Sequence, residues 1–321
     1  MPYTKVKLSH ISLKALELGQ TYQYPIYYND KDNLYKVLIN KGSKYSQDIE
    51  KIIIDKSIKD VYVKNEDHKQ YEIDTQNYFK KIINDDNVST DLKAQIVHEM
   101  TVDTINELFT GEPNTNKIER SYDLVNDTIQ LILNNDDAVK AMLKVTSYDY
   151  YTYTHSVNVS IYTLGFGAYL KLSKEKLELL GMAGMLHDLG KRNIPNDIVN
   201  KNGKLTDEEF EIMKNHPTHT VHILKHLGQT DDVLLKSVEQ HHEKIDGSGY
   251  PYGLKGDEIN IFAQIISIVD IFDALTTKRS YKDAMPSIKA FDIMYHQMKG
   301  ELNPILLQKF IKFMSVKQQD L

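Results

Sequence analysis

The residues of this chain that could hold a metal recur along its second half. They are His155, His187 and Asp188, His216, His241 and His242, and Asp270. His187 and Asp188 are adjacent, and an adjacent imidazole and carboxylate can serve two metals, with the carboxylate bridging them. Taken alone, the pair reads equally well as a solvated surface dipeptide. The chain contains no Cys, so a metal would rest on imidazole and carboxylate and never on thiolate. The vicinal His241-His242 pair ends an expected helix, and a shared metal accounts for both imidazoles economically. Asp270 and Asp273 stand three apart, on one face of another helix. Lys191 follows Asp188 by one turn. It either projects toward the same site or is a solvated Lys complementing a helix C-terminus.

Longer strings surround these residues. Leu186 to Lys191 reads L-H-D-L-G-K, and His216-Pro217 is an H-P step. His241 to Pro251 reads H-H-E-K-I-D-G-S-G-Y-P, and Tyr150 to Ser160 reads Y-Y-T-Y-T-H-S-V-N-V-S. Asp270 opens D-I-F-D-A-L-T-T-K-R-S-Y-K. Together they resemble the HD-GYP family of the metal-dependent HD phosphohydrolases. The motifs cover about residues 148–285, within a helical domain of about 90–321.

That resemblance implies a binuclear centre. His155, His187, Asp188 and Asp270 would hold one divalent ion, and Asp188, His216, His241 and His242 the other, with Asp188 bridging. Such a nitrogen and oxygen donor set suits Fe or Mn, and accepts Zn or Ni in recombinant protein. Lys191 would meet the scissile phosphate, and Arg279 and Lys282 the second phosphate. Gly249 would permit close backbone approach, and Tyr250 would lie against the nucleotide. The implied substrate is cyclic di-GMP, a bacterial second messenger, cut to pGpG and in some relatives onward to GMP. Three positions depart from the family pattern: Thr220 replaces a Gly, Ser280 replaces a Pro, and Tyr151 stands where some members carry a Glu that holds a third metal. The last departure implies two metals and pGpG as product. Two other readings stay open. One is a cyclic-dinucleotide receptor whose G-Y-P loop docks a partner such as a GGDEF-type diguanylate cyclase. The other is a phosphodiesterase for cyclic GMP-AMP. The retained ligand set favours an enzyme over a receptor.

The elements that must position these residues are mainly helical. At 321 residues the chain has room for about two domains. Residues 1–84 read as a small α+β regulatory or dimerising domain. Tyr22 to Tyr28, Tyr35 to Ile39 and Val61 to Val63 are β-prone runs, with a helix capped at Ser46 and another over Tyr71 to Ile83. The polar stretch Asn84 to Thr90 reads as a linker. Residues 85–321 then carry helical periodicity throughout, giving, by the resemblance, an all-α HD-type bundle. Helices are expected over Leu92–Phe109, Ile118–Leu133, Asp137–Val145 and His155–Leu170. Further helices are expected from Ser173 to Asp188, from a capping box at Thr206 and Glu209 to about His216, and over Val233–Gln240, Asn260–Leu275, Ser287–Met298 and Pro304–Met314. His219, His222 and His226, which continue at helical spacing from His216, read as a solvated polar face. Net charge is −6, with Arg only at 120, 192 and 279 and no basic run, which argues against long nucleic acid as a partner. No signal peptide or membrane span is evident, so a cytoplasmic protein is expected.

Overall fold

The computed structural model describes residues 7–30, 34–135, 137–146, 152–277 and 284–318. The chain is mainly helical and divides into two compact units, residues 1–103 and 104–321.

The first unit contains strands β1 (Leu8–Ile11), β2 (Thr21–Tyr22), β3 (Ile26–Asn29), β4 (Tyr35–Ile39), β5 (Ser43–Lys44) and β6 (Val61–Lys64), with helices α1 (Gln47–Asp55) and α2 (His68–Ile83). An antiparallel sheet runs in the order β1-β6-β3-β4, and β2 pairs separately with β5. The expected strand Tyr22–Tyr28 is therefore two strands in two sheets. Pro25 lies at the break and has no N–H to give to a ladder. Alternation puts Ile26 and Tyr28 of β3, and Val61 and Val63 of β6, into a core shared with Tyr22, Tyr24, Ile39 and Tyr71. Ser46 has the extended backbone of an N-cap, but its hydroxyl accepts no helix N–H.

Helix α3 (Thr90–Thr110) contains the division between the units, which lies beyond the polar stretch 84–90. The second unit continues with α4 (Thr115–Asn134), α5 (Ala138–Val145), α6 (Thr152–Tyr169) and α7 (Lys174–Leu186). A 3₁₀ turn follows over Leu189–Asn193, then α8 (Asn196–Val199), α9 (Asp207–Met213), α10 (His216–His226) and α11 (Asp232–Glu239). The last helices are α12 (Ile261–Thr276), α13 (Ser287–His296) and α14 (Pro304–Gln318). Thr206 and Glu209 close the expected capping box. The helix it starts ends at Met213, short of His216. Pro217 lacks a backbone donor and fits only the first turn of a helix, so His216 opens α10 instead of closing α9.

Helices α6 and α12 lie at the centre because they are apolar on nearly every side. Val157, Val159, Leu164 and Phe166 of α6, and Ile265, Ile266, Ile268, Val269 and Phe272 of α12, are buried. Each such side chain contributes roughly 1.5–3 kcal/mol by leaving water. Phe310 packs edge-on against Phe166 at 5.2 Å and Phe272 at 5.3 Å, fastening α14 to both central helices. Helix α6 packs on α7 and α12, and α11 touches α7, α10 and α12. The ends of these helices are what carry the His and Asp residues. Among the described residues no helix is long and apolar enough to cross a membrane.

Candidate metal centre

Two groups of buried donors meet at one carboxylate. His155, His187 and Asp188 form one, and Asp188, His216, His241 and His242 the other, each with ligand atoms within 4.8 Å of one another. Asp188 Oδ2 lies 3.4 Å from His187 Nε2 and 3.7 Å from His155 Nε2, while its Oδ1 lies 3.3 Å from His216 Nε2. The two oxygens thus face different imidazole sets, as a bridging carboxylate requires. Asp270 reaches the first group through His155, its Oδ1 lying 3.0 Å from Nε2.

The backbone fixes which ring nitrogen points inward. Nδ1 of His187, His216 and His241 donates to the carbonyl three residues earlier, Gly184, Met213 and Val238, at 2.8, 2.8 and 2.7 Å. With Nδ1 protonated, each ring presents a bare Nε2 lone pair to the centre, the tautomer of a ligating His. His155 is oriented instead by a carboxylate. Its Nδ1 lies 2.7 Å from Asp273 Oδ2, and Asp273 Oδ1 accepts from Asn158 Nδ2 and Thr277 Oγ1, each at 3.0 Å. The three-residue spacing on α12 therefore sets Asp270 and Asp273 at opposite nitrogens of one imidazole.

Charge in the site follows burial and neighbours. Burial pushes His216 and His241 well below the usual imidazole range, and it pushes His242 down to about 4 against the attraction of Asp270. These rings are neutral, the ligating form. Burial opposes ionisation of Asp188, yet the ammonium of Lys191 outweighs it and holds the carboxylate well below its ordinary value. Burial also opposes the charging of His155, but hydrogen bonds to Asp270 and Asp273 raise it to about 9. A cation held at His155 Nε2 would take the place of the proton shared with Asp270, while Nδ1–H stays on Asp273. His187 Nε2 and Asp188 Oδ1 are buried and have no hydrogen-bond partner. Such atoms are costly unless something satisfies them. Neutral imidazoles, ionised carboxylates and orphaned inward atoms together fit divalent metal.

Close main-chain crossings assemble the centre. A Cβ on Gly190 would fall 2.0 Å from His216 O and 2.5 Å from Thr220 N, so only Gly lets α10 cross the turn after Asp188. Thr220, the departure from the family pattern, ties that crossing. Its Oγ1 accepts from Gly190 N at 2.8 Å and lies 3.1 Å from His187 O and 3.0 Å from His216 O, to either of which it can donate. Gly249 packs where a Cβ would come within 2.4–2.5 Å of the main chain of residues 242–244. The close approach at Gly249 is thus to its own chain, at the vicinal His pair. The buried Glu243 takes Tyr252 N and Leu254 N on separate carboxylate oxygens, at 2.6 and 3.0 Å. Tyr250 stacks on His242 at 4.7 Å, and Phe210 meets the Tyr250 ring edge-on at 6.1 Å. Lys191 Nζ donates to Asp188 Oδ2 at 2.6 Å.

His155, His187, Asp188, His216, His241, His242, Asp270 and Lys191 are thus brought together, with Tyr250 at their edge. His219, His222 and His226 join neither donor group. Arg279, Lys282, Ser280 and Tyr151 lie outside the described residues. Asn158, Thr220 and Glu243 were given no site role by the sequence. The signal for the first two was helical spacing, i+3 from His155 and i+4 from His216, and Glu243 stands inside the H-H-E string itself.

The HD domain family profile matches residues 122–304. The chain belongs to that family, as an HD-GYP protein. The HD-GYP chain is 33% identical over 194 residues to a cyclic di-GMP phosphodiesterase of Pseudomonas aeruginosa, covering 60% of this chain and 47% of the relative. It is 40% identical over 154 residues to the 3'3'-cGAMP-specific phosphodiesterase 3 of Vibrio cholerae, covering 48% and 33%. It thus spans less than half the length of either curated relative. An HDGYP protein from Bdellovibrio bacteriovorus superposes with a TM-score of 0.73 at 19% identity, over 96% of this chain and all of that one, and shows the same fold.

Proposed function

We propose that this HD-GYP chain is a phosphodiesterase that hydrolyses cyclic di-GMP at a binuclear centre. The observation that carries the reading is Asp188, whose two oxygens face separate imidazole sets while Lys191 Nζ sits on one of them. Two divalent ions, Fe or Mn by donor type, would acidify a water and offset charge on the phosphoryl oxygens. His155, His187, Asp188 and Asp270 would hold one ion, and Asp188, His216, His241 and His242 the other.

The protein's own groups do the positioning. The carbonyls of Gly184, Met213 and Val238 hold three imidazoles as inward acceptors, so no reorganisation of the ligands is needed when substrate arrives. Lys191 brings a cationic donor to the rim of the anionic cluster, where it can turn from Asp188 to a phosphate oxygen as charge develops there. Tyr250, stacked on His242, walls one side of the centre and excludes water from it. Arg279 and Lys282 would hold the distal phosphate, Arg through its bidentate fork. Tyr151, in place of a metal-binding Glu, supports two metals and pGpG as end product. Residues 1–84 would regulate or dimerise this cytoplasmic signalling protein, and the G-Y-P loop would dock a GGDEF-type partner.

The test is turnover of cyclic di-GMP by protein purified without oxygen and loaded with Fe or Mn, with products separated by chromatography. Turnover giving pGpG, and abolished in His187→Ala and Asp188→Ala, is the expected result. Turnover of 3'3'-cGAMP alone would reassign the substrate. Tight binding of cyclic di-GMP at full metal occupancy without hydrolysis would make the protein a receptor.

A further inference from the structure

Beyond Lys191 the surface falls into a cleft that no role assigned so far uses. It is lined by Phe109 at the end of α3, by Lys191 and Arg192 of the 3₁₀ turn, and by Asn196, Val199 and Asn200 of α8 and its C-cap, and encloses about 580 Å³. Lys191 belongs to both places, since its Nζ donates to Asp188 while its side chain walls the cleft. A group bound in the cleft is therefore one side chain away from the metal centre. That is the span from a phosphate to its own nucleoside.

The chemistry of the lining is that of a base pocket. Phe109 and Val199 offer apolar surface to a ring face, and base-aromatic stacking contributes about 1–3 kcal/mol. Asn196 and Asn200 are four apart, on one face of α8 and its cap, and both are exposed to the cleft's solvent. Each carries an amide NH2 with two donor hydrogens and a carbonyl oxygen with two acceptor lone pairs, so it can turn its donor side to a base. Arg192 is held in place because its NH1 donates to Leu108 O at 2.7 Å, which leaves other guanidinium donors of the fork for a ligand. The surplus of donors in the lining comes from Lys191 and Arg192, which have no acceptor. Guanine offers two acceptors along one edge, O6 and N7, where adenine replaces O6 by an amino donor.

We infer that this cleft is a guanine subsite, in which Asn196, Asn200 and Arg192 read the base attached to the phosphate at Lys191. The inference rests on the phosphodiesterase reading above. It assigns base preference to α8, away from the metal ligands and from the G-Y-P loop.

The experiment separates the subsite from the metal centre. Manganese-loaded protein is first assayed with bis(p-nitrophenyl) phosphate, which has no base. Its hydrolysis, lost in Asp188→Ala, supports the phosphodiesterase reading independently of the cleft, and its absence in the unaltered protein overturns that reading and the subsite with it. Cyclic di-GMP and cyclic di-AMP are then compared in Asn196→Ala, Asn200→Ala and Asn196→Asp, the last preserving shape while replacing a donor by an acceptor. Loss of a base contact should raise KM for cyclic di-GMP about tenfold, with a smaller change in kcat, and leave cyclic di-AMP unchanged. GMP titrated by calorimetry should bind about tenfold more weakly to the same variants, a readout that needs no turnover. If the unaltered protein hydrolyses bis(p-nitrophenyl) phosphate but the Asn variants keep KM for cyclic di-GMP and GMP affinity within twofold, the subsite is wrong and the phosphodiesterase reading stands. Equal losses for both cyclic dinucleotides would likewise overturn guanine recognition.

Discussion

His155 is gripped at both nitrogens, by Asp270 at Nε2 and by Asp273 at Nδ1. The two carboxylates do different work. Asp270 faces the centre, whereas Asp273 is fully buried behind the ring and already accepts from Asn158 and Thr277. Asp273→Asn keeps the size but leaves one acceptor oxygen for donors that now use two. Either His155 loses its anchor or Asn158 and Thr277 lose theirs. Replacing such an outer partner of a ligating His costs about 10–100-fold in metal affinity. The expected result is that loss in a manganese titration against a competing chelator, with the fold retained by circular dichroism. Unchanged affinity would mean that Asp273 orients nothing. The i, i+3 placement of these carboxylates was legible in the sequence. That Asp273 anchors His155 through Nδ1 was not, because it depends on how α6 lies against α12, and pattern alone does not set that.

Among the elements, the crossing of α10 over the turn at Gly190 has the tightest geometry. Sequence reading located His216 and its Pro, and marked Thr220 only as a departure. The structure gives that hydroxyl a specific place, between Gly190 N and the carbonyls of His187 and His216. Sequence could not foretell this, since Gly190 N and His187 O lie about 30 positions away and are main-chain atoms. The same limit explains the misplaced helix end before His216 and the divided strand at Pro25. At Pro25 the alternation was carried through a residue with no N–H for the ladder, whereas before Pro217 the helix was carried to His216, which the Pro makes the start of the next helix. Thr220→Val keeps the shape and strands the buried Gly190 N–H. An unsatisfied buried donor costs about 1–3 kcal/mol. Urea denaturation should show that loss. The imidazole of His216 would also be less well placed, so metal affinity should fall with stability. Thr220→Ser, which restores the hydroxyl, should recover both. Failure of Ser to recover them would assign the effect to the lost methyl instead.

For the whole molecule, both donor groups that share Asp188 lie in residues 104–321, on α6, α10 and the ends of α7 and α11, with Asp270 of α12 joined through His155. Metal that binds only the folded form stabilises it by RT ln(1 + [L]/Kd), about 2.7 kcal/mol at a hundredfold excess over Kd. Because the ligands are spread over so many helices, that energy cannot be local to one turn. It must hold the arrangement of the central helices together. Amide exchange resolves where it acts, since protection reports the opening free energy of each segment. Chelation should therefore speed exchange about a hundredfold in α6, α7, α10 and α12, wherever exchange requires these elements to separate. Amides paired between β3 and β6 belong to the other unit, whose Tyr, Ile and Val core contains none of those ligands. Their exchange should stay as it was. Acceleration confined to a single helix would mean that the metal rests on fewer ligands than the shared Asp188 suggests. Acceleration spread equally through β3 and β6 would mean that the two compact units open as one, and that the metal stabilises the chain well beyond the helices that hold it.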